Sequence, residues 1–227
     1  MSWPAVRLVV FDLDGTLVDS LGDLANALNF ALAQLVPQTP PLPLARVRSF
    51  IGDGARLLVA RSLEAAGLHV SVDEALPVYV QAYRQRMFDH TRLYAGVREV
   101  LDALHDRNLA VLTNKPGDMS RAILSHLGVA ERFFRIVGGG DLAEHKPDPS
   151  GLLQLVDACS ATPERTVIVG DSAVDVRTGR AAGTHTVGVT YGFAPDSLAT
   201  EPPDVVIDHL RDLLPLLGSD ARAGVVV

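Results

Sequence analysis

Leu8-Val9-Val10-Phe11-Asp12-Leu13-Asp14-Gly15-Thr16 is the stretch that decides the fold. Its first four residues are apolar without a break and rich in β-branched side chains, the pattern of a strand buried on both faces of a parallel sheet. Two acids and a glycine follow at the carboxyl end of that strand, where open α/β sheets place their ligands. Similar apolar runs recur at Leu109–Leu112, Phe133–Val137 and Thr166–Val169, with weaker ones at Thr186–Val189 and Asp204–Ile207. Between them the spacing predicts helices over Val97–Asp106, Met119–Leu127, Ser150–Ala158 and Val174–Ala182, the second and fourth stopped by Gly128 and Gly183. Strands alternating with helices argue for a doubly wound, Rossmann-like parallel α/β sheet.

Residues 17–92 break the alternation and read as entirely helical. Ser20 with Asp23 resembles a capping pair opening a helix that runs to Leu35. A proline-rich loop, Pro37 to Pro43, precedes a helix over Gly54–Ala66 that stops at Gly67. A third helix covers Asp73–Met87, with Pro77 near its first turn. The expected organisation is a catalytic core of residues 1–16 and 93–218, a small helical cap over 17–92 inserted after the first strand, and a disordered tail over 219–227. The two ends of such an insert must lie close together at the mouth of the first strand, where it can act as a lid.

The chain has 227 residues, a formal net charge of -7 and a pI near 5.4, so it gains no general attraction to nucleic acid or to anionic lipid. Any anion it binds must be held by a local site. Cys159 is the only cysteine, which excludes an internal disulfide and fits a reducing cytoplasm. The apolar run before Asp12 is too short for a signal-peptide core or a membrane span. Of twenty Lys+Arg only two are lysine, Lys115 and Lys146. Where arginine is so strongly preferred, a surviving lysine suggests a local need for an ammonium.

Four short motifs sit at or just beyond strand ends. Asp12 and Asp14 stand two apart and repel unless a proton or a hard cation such as Mg²⁺ separates them. Read alone, they are equally an Asp-Gly turn. Gly170-Asp171-Ser172-Ala173-Val174-Asp175 places a second pair of acids where a helix opens, which a plain N-cap would also do. Thr113-Asn114 could hold a phosphoryl oxygen or form a simple turn. Lys146-Pro147 could stabilise a transferring phosphoryl group or only an ion pair.

Together, Asp12-Leu13-Asp14-Gly15-Thr16, Thr113, Lys146-Pro147 and Gly170-Asp171 with Asp175 resemble the haloacid dehalogenase-like superfamily, in its order and spacing. Within it, Leu112-Thr113-Asn114-Lys115-Pro116, Arg48 with Ile51-Gly52-Asp53-Gly54, and Gly188-Val189-Thr190-Tyr191-Gly192 look most like the bacterial phosphoglycolate phosphatases. The resemblance implies that Asp12 is a nucleophile forming an aspartyl-phosphate and that Asp14 is the acid and then the base. It assigns Thr113, Asn114 and Lys146 to the phosphoryl oxygens. Mg²⁺ would be held by Asp12, Asp171 and the Asp14 carbonyl, with Asp175 beyond the direct ligands, orienting Lys146 or a metal-bound water. Arg48, the Gly52 and Gly54 turn, and Lys115 are candidates for reading the free carboxylate of 2-phosphoglycolate. The partner is then a small phosphorylated metabolite, not nucleic acid or a membrane, and the protein a monomer or homodimer.

Rival readings are a phosphatase for another small or sugar phosphate such as N-acetylmuramate 6-phosphate, a phosphomutase on the same core, and a receiver-type phospho-acceptor module. A receiver is shorter, carries its paired acids before the acceptor strand and lacks the helical insert. A dehalogenase has no use for both Asp14 and Asp171.

Overall fold

The structure is a computed structural model that describes Trp3 and residues 5–217. The expected tail, 219–227, lies outside the described residues. The chain begins with β1 (Leu8–Phe11) and β2 (Val18–Asp19) and continues through α1 (Leu21–Leu35), α2 (Leu44–Arg48), α3 (Ala55–Ala65) and α4 (Val72–Arg86). It then runs β3 (Arg92–Leu93), α5 (Val97–Ala103), β4 (Asn108–Pro116), α6 (Gly117–His126), β5 (Arg135–Gly139), α7 (Ser150–Ala158) and β6 (Thr166–Gly170). The remainder is α8 (Ala173–Ala182), β7 (His185–Val189), α9 (Ser197–Thr200), β8 (Val205–Ile207) and a closing 3₁₀ stretch. No described helix is long and apolar enough to cross a membrane.

Six strands form one sheet in the order β5-β4-β1-β6-β7-β8, and every neighbouring pair in it is parallel. All four β1 residues are fully buried. Val9 and Phe11 join the larger apolar cluster, with Met119 and Ile123 of α6 and Val97 and Leu101 of α5. Leu8 and Val10 join the other, with Leu152 and Leu155 of α7 and Ala182 of α8. This two-sided burial is what an unbroken apolar run requires. The chain builds outward from β1 to β4 and β5, then returns to lay β6 on its other side. The carboxyl end of β1 is therefore the switch point where such sheets open a ligand crevice.

The helical segment leaves and re-enters through β2 and β3, which pair antiparallel, Val18 with Leu93 and Asp19 with Arg92. Its two ends are thus adjacent. Within it α1 packs on α4, and α3 on α4.

Several local expectations differ. Residues 17–92 are not entirely helical, since β2 and Arg92 of β3 lie at their two ends, and Thr113-Asn114 lies within β4, which runs on to Pro116. Ser20 and Asp23 are not a capping pair. Asp23 is fully buried and accepts from the N–H groups of His90 and Thr91 and from the Thr91 hydroxyl, at 2.8–3.0 Å. It therefore fastens the start of the helical segment to its end. Pro77 sits in the second turn of α4, because the helix starts earlier than expected, at Val72 behind a Ser71 cap. β5 begins at Arg135, two residues later than the apolar run Phe133–Val137 suggested; Phe133 is buried and Phe134 is exposed.

Candidate active site

Strand register builds the site. Phe11 is level with Val111 of β4 and Val169 of β6, so Asp12 leaves the sheet where β6 ends, beside the part of β4 that runs on to Pro116. Its N–H still donates to the Val169 carbonyl at 2.9 Å. Asp171 directly follows β6, and Asp175 comes one turn into the helical start beyond it. One carboxylate oxygen from each of Asp12, Asp171 and Asp175 lies within 4.8 Å of the others, and all three residues are buried. Lys146 Nζ donates to Asp12 Oδ1 at 2.7 Å and to Asp175 Oδ1 at 2.6 Å. The other oxygen of Asp175 accepts from the Ser172 N–H and hydroxyl, so Asp175 is not the N-cap of α8 but the third-residue partner in a capping box whose N-cap is Ser172.

The motif glycines are dictated by this crowding. A Cβ on Gly15, where φ is +89°, would stand 2.2 Å from Asp171 Oδ2. One on Gly170 would stand 2.1 Å from the Asp175 carboxyl carbon.

Burial pushes the Asp12 carboxyl up to about 6, against the pull of Lys146 and with the help of Asp175 and Asp14. Burial and then the charges of Asp175 and Asp12 push Asp171 up to about 8. The Phe193 and Ala194 N–H groups, at 2.5 and 3.2 Å from its Oδ2, oppose that rise. Burial works against the Lys146 ammonium, but Asp12 and Asp175 more than reverse the effect and hold it above the usual lysine range. Three carboxylates against this one ammonium leave a negative excess of hard oxygen donors, which suits a divalent cation.

Asp14 faces a different set of partners. Ser20 Oγ donates to its Oδ1 at 2.6 Å, and Lys115 Nζ donates to Oδ1 at 3.1 Å and Oδ2 at 3.0 Å. Lys115 also donates to the Tyr83 hydroxyl at 2.6 Å and lies 4.4 Å from the centre of that ring. Asp12, Asp14, Thr113 and Lys115 form one side of a cavity of about 60 Å³. Leu24, Ile51, Leu58, Tyr79 and Tyr83 of the helical segment, with Met119, form the other. Lys146, Asp171 and Asp175 are not part of its lining.

Residues 9–189 match the family model of the haloacid dehalogenase-like hydrolases. The chain belongs to this family. It is 40% identical over 217 residues to a phosphoglycolate phosphatase of Pseudomonas putida, covering 92% of this chain and 79% of that one. It is 39% identical over 228 residues to a phosphoglycolate phosphatase of Rhodospirillum rubrum, covering 96% and 93%. Among solved structures, a predicted phosphoglycolate phosphatase from Haemophilus somnus superposes with a TM-score of 0.88 at 32% identity, covering 95% and 99%.

In this hydrolase the expected acids and Lys146 converge, but three expected substrate contacts differ. The Asn114 side chain is taken up by backbone: Nδ2 donates to the carbonyls of Lys146 at 3.0 Å and Gly52 at 3.2 Å, and Oδ1 accepts from the Lys146 N–H at 2.9 Å. Its side chain thus holds Lys146, while the residue still lines the cavity. Arg48 does not face the cavity; its guanidinium donates to the Phe193 carbonyl at 2.8 Å and to that of Gly192. Lys115 faces the cavity but is engaged with Asp14. Ile51, Gly52 and Gly54 do line the cavity, while Asp53 turns away to Arg61 at 2.6 Å.

Sequence reasoning missed Ser20, Tyr83 and the Phe193 and Ala194 N–H groups. Ser20 reads as a helix cap, Tyr83 as core, and backbone groups carry no sequence signal.

Proposed function

We propose that the chain is a Mg²⁺-dependent phosphomonoesterase acting on 2-phosphoglycolate through an aspartyl-phosphate on Asp12. The observation that carries this reading is the convergence of Asp12, held by Lys146, with Asp14 and Thr113 at one small cavity under the helical segment.

In the first step an Asp12 oxygen bonds to phosphorus while the ester P–O bond breaks. The leaving oxygen takes a proton from Asp14. In the second, Asp14 takes a proton from the water that attacks phosphorus, which frees Asp12 and inorganic phosphate. Asp12, Asp171 and the Asp14 carbonyl would hold Mg²⁺, with Asp175 beyond them; when bound, the ion offsets the repulsion between carboxylate and phosphate. Lys146 has three N–H donors, of which Asp12 and Asp175 take two, leaving one for a phosphoryl oxygen. Thr113 supplies a hydroxyl at the cavity wall.

The cavity supports a small substrate: its volume, about 60 Å³, is far below the ~300–1,000 Å³ of sites for drug-sized ligands. The relatives named phosphoglycolate phosphatase point the same way. With Arg48 turned elsewhere, the Gly52–Gly54 turn and the first N–H groups of α3 are the donors best placed for the carboxylate, because a helix start leaves such groups without intrahelical partners. Residues 17–92 then serve as the cap over a core of 1–16 and 93–218, and cytoplasmic metabolism is the natural setting.

The test is kcat/KM for 2-phosphoglycolate against glycerol phosphate, glucose 6-phosphate, N-acetylmuramate 6-phosphate and p-nitrophenyl phosphate. Activity is expected to vanish in EDTA and return with Mg²⁺. A preference of more than about tenfold, roughly 1.4 kcal/mol, for another ester overturns the substrate. Full activity in chelator overturns the metal.

A further inference from the structure

We propose that Lys115 is a positioning residue for the proton-donating carboxyl of Asp14, and that Tyr83 of the helical segment holds Lys115 in place. This rests on the reading of Asp14 as the group that protonates the leaving oxygen, and it replaces the expectation that Lys115 reads the substrate.

The geometry points to it in three ways. Lys115 Nζ donates to both oxygens of Asp14, at 3.1 and 3.0 Å, and so anchors the whole carboxyl group, while Ser20 Oγ donates to Oδ1 alone at 2.6 Å. Nζ is itself held from the opposite side by the Tyr83 hydroxyl at 2.6 Å. Both long side chains are almost wholly buried, Lys115 at 6% and Tyr83 at 2% exposure, so neither swings freely. Lysine has three donors, and Asp14 and Tyr83 take all three. A substrate carboxylate or phosphoryl oxygen would have to displace one of these contacts. The network also joins two parts of the fold: Asp14 and Lys115 lie at the carboxyl end of the sheet, Tyr83 in α4. The helical segment therefore reaches Asp14 twice, directly through Ser20 and through Tyr83 by way of Lys115. A compact ammonium suits this role, because it offers donors toward carboxylate and hydroxyl alike within a narrow buried space.

The step affected is departure of the ester oxygen. As Asp12 bonds to phosphorus and the P–O bond breaks, the electron pair stays on the leaving oxygen, which takes the Asp14 proton. An alkoxide needs that proton. A p-nitrophenolate, a far weaker base, leaves without it. The split appears in kcat/KM, which reports the path only through the first phosphoryl transfer.

The experiment measures kcat/KM for 2-phosphoglycolate, glycerol phosphate and p-nitrophenyl phosphate in wild type, Lys115→Met and Tyr83→Phe, at saturating Mg²⁺. In Lys115→Met the two alkyl esters should fall together by about 30-fold or more, and p-nitrophenyl phosphate by no more than about fivefold. Tyr83→Phe should give the same pattern at smaller size, about three- to tenfold on the alkyl esters. An equal fall on all three esters makes Lys115 a phosphate ligand and overturns the inference. A fall confined to 2-phosphoglycolate makes it a carboxylate reader and overturns it too. If Lys115→Met does not fold, Tyr83→Phe decides alone by the same comparison. Wild-type protein that hydrolyses none of the three would remove the phosphatase reading itself, an outcome distinct from any of these.

Discussion

The site has two halves, each with one of the chain's two lysines, and they are built differently. In the sheet half, Lys146 lies between Asp12, just beyond β1, and Asp175, in the first turn of α8, and its backbone is clamped by Asn114 of β4. In the cavity half, Lys115 joins Asp14 to Tyr83, a residue of the helical segment. The first arrangement is a charge cluster of the core that meets the helical segment only where Asn114 donates to the Gly52 carbonyl. In the second, the link from Lys115 to Tyr83 exists only while α4 lies over the carboxyl end of the sheet. On the proposed mechanism, phosphate chemistry belongs to the sheet half, and positioning of the leaving-group acid to the half that the helical segment completes.

The largest effect that separates the halves is expected at Asp12. Asp12→Asn keeps the shape and removes the nucleophile, so turnover on every ester should fall by at least ~10³, about 4 kcal/mol of barrier. The protein should still fold, since one of three crowded carboxylates is gone. Near wild-type turnover in the purified variant would break the assignment of the sheet half.

Next in size is metal affinity, read by calorimetric Mg²⁺ titration. Asp171→Ala should weaken binding by more than about 100-fold, and Asp175→Ala by about 10- to 100-fold, the range for groups that orient ligands without touching the ion. The reverse ranking would make Asp175 the direct ligand.

The same cluster predicts a pH dependence. Burial and neighbouring carboxylates raise Asp12 to about 6 and Asp171 to about 8 in the metal-free protein. A carboxyl raised on folding stabilises the metal-free fold fully below its unfolded value, and that contribution is lost as pH climbs through the raised one. Mg²⁺ must displace the same protons, so its affinity should grow by up to about tenfold per pH unit between 6 and 8 and then level off. The rise in Tm on adding Mg²⁺ should accordingly be larger at pH 8 than at pH 6. A rise independent of pH would show that the acids are already ionised without metal.

The smallest effect sharpens the comparison from the helical side. Arg48 ties α2 to the Gly192 and Phe193 carbonyls, next to the N–H groups that hold Asp171. Arg48→Met should cost about tenfold or less in kcat/KM, equally on 2-phosphoglycolate and on esters without a carboxylate, in keeping with the loss of charge-assisted hydrogen bonds worth ~1.5–3 kcal/mol in full. A loss confined to 2-phosphoglycolate would return Arg48 to the substrate and break the reading of it as a tie.

The sequence by itself determined the parallel sheet, because an apolar run such as Leu8–Phe11 can be buried only between two covered faces. It also determined the acids at the strand ends, because Asp12 and Asp171 follow directly from where β1 and β6 stop, and the glycines beside them leave room for no other side chain. The scarcity of lysine pointed to Lys115 and Lys146, and both are buried at the site. What the long side chains reach was decided only by the tertiary structure. Asp23 closes onto His90 and Thr91, Arg48 crosses to Phe193, and Lys115 meets Tyr83. Strand ends are fixed by local pattern, whereas a flexible cation takes whichever acceptors the folded chain brings within its reach, and those lie 32 to 145 residues away along the sequence.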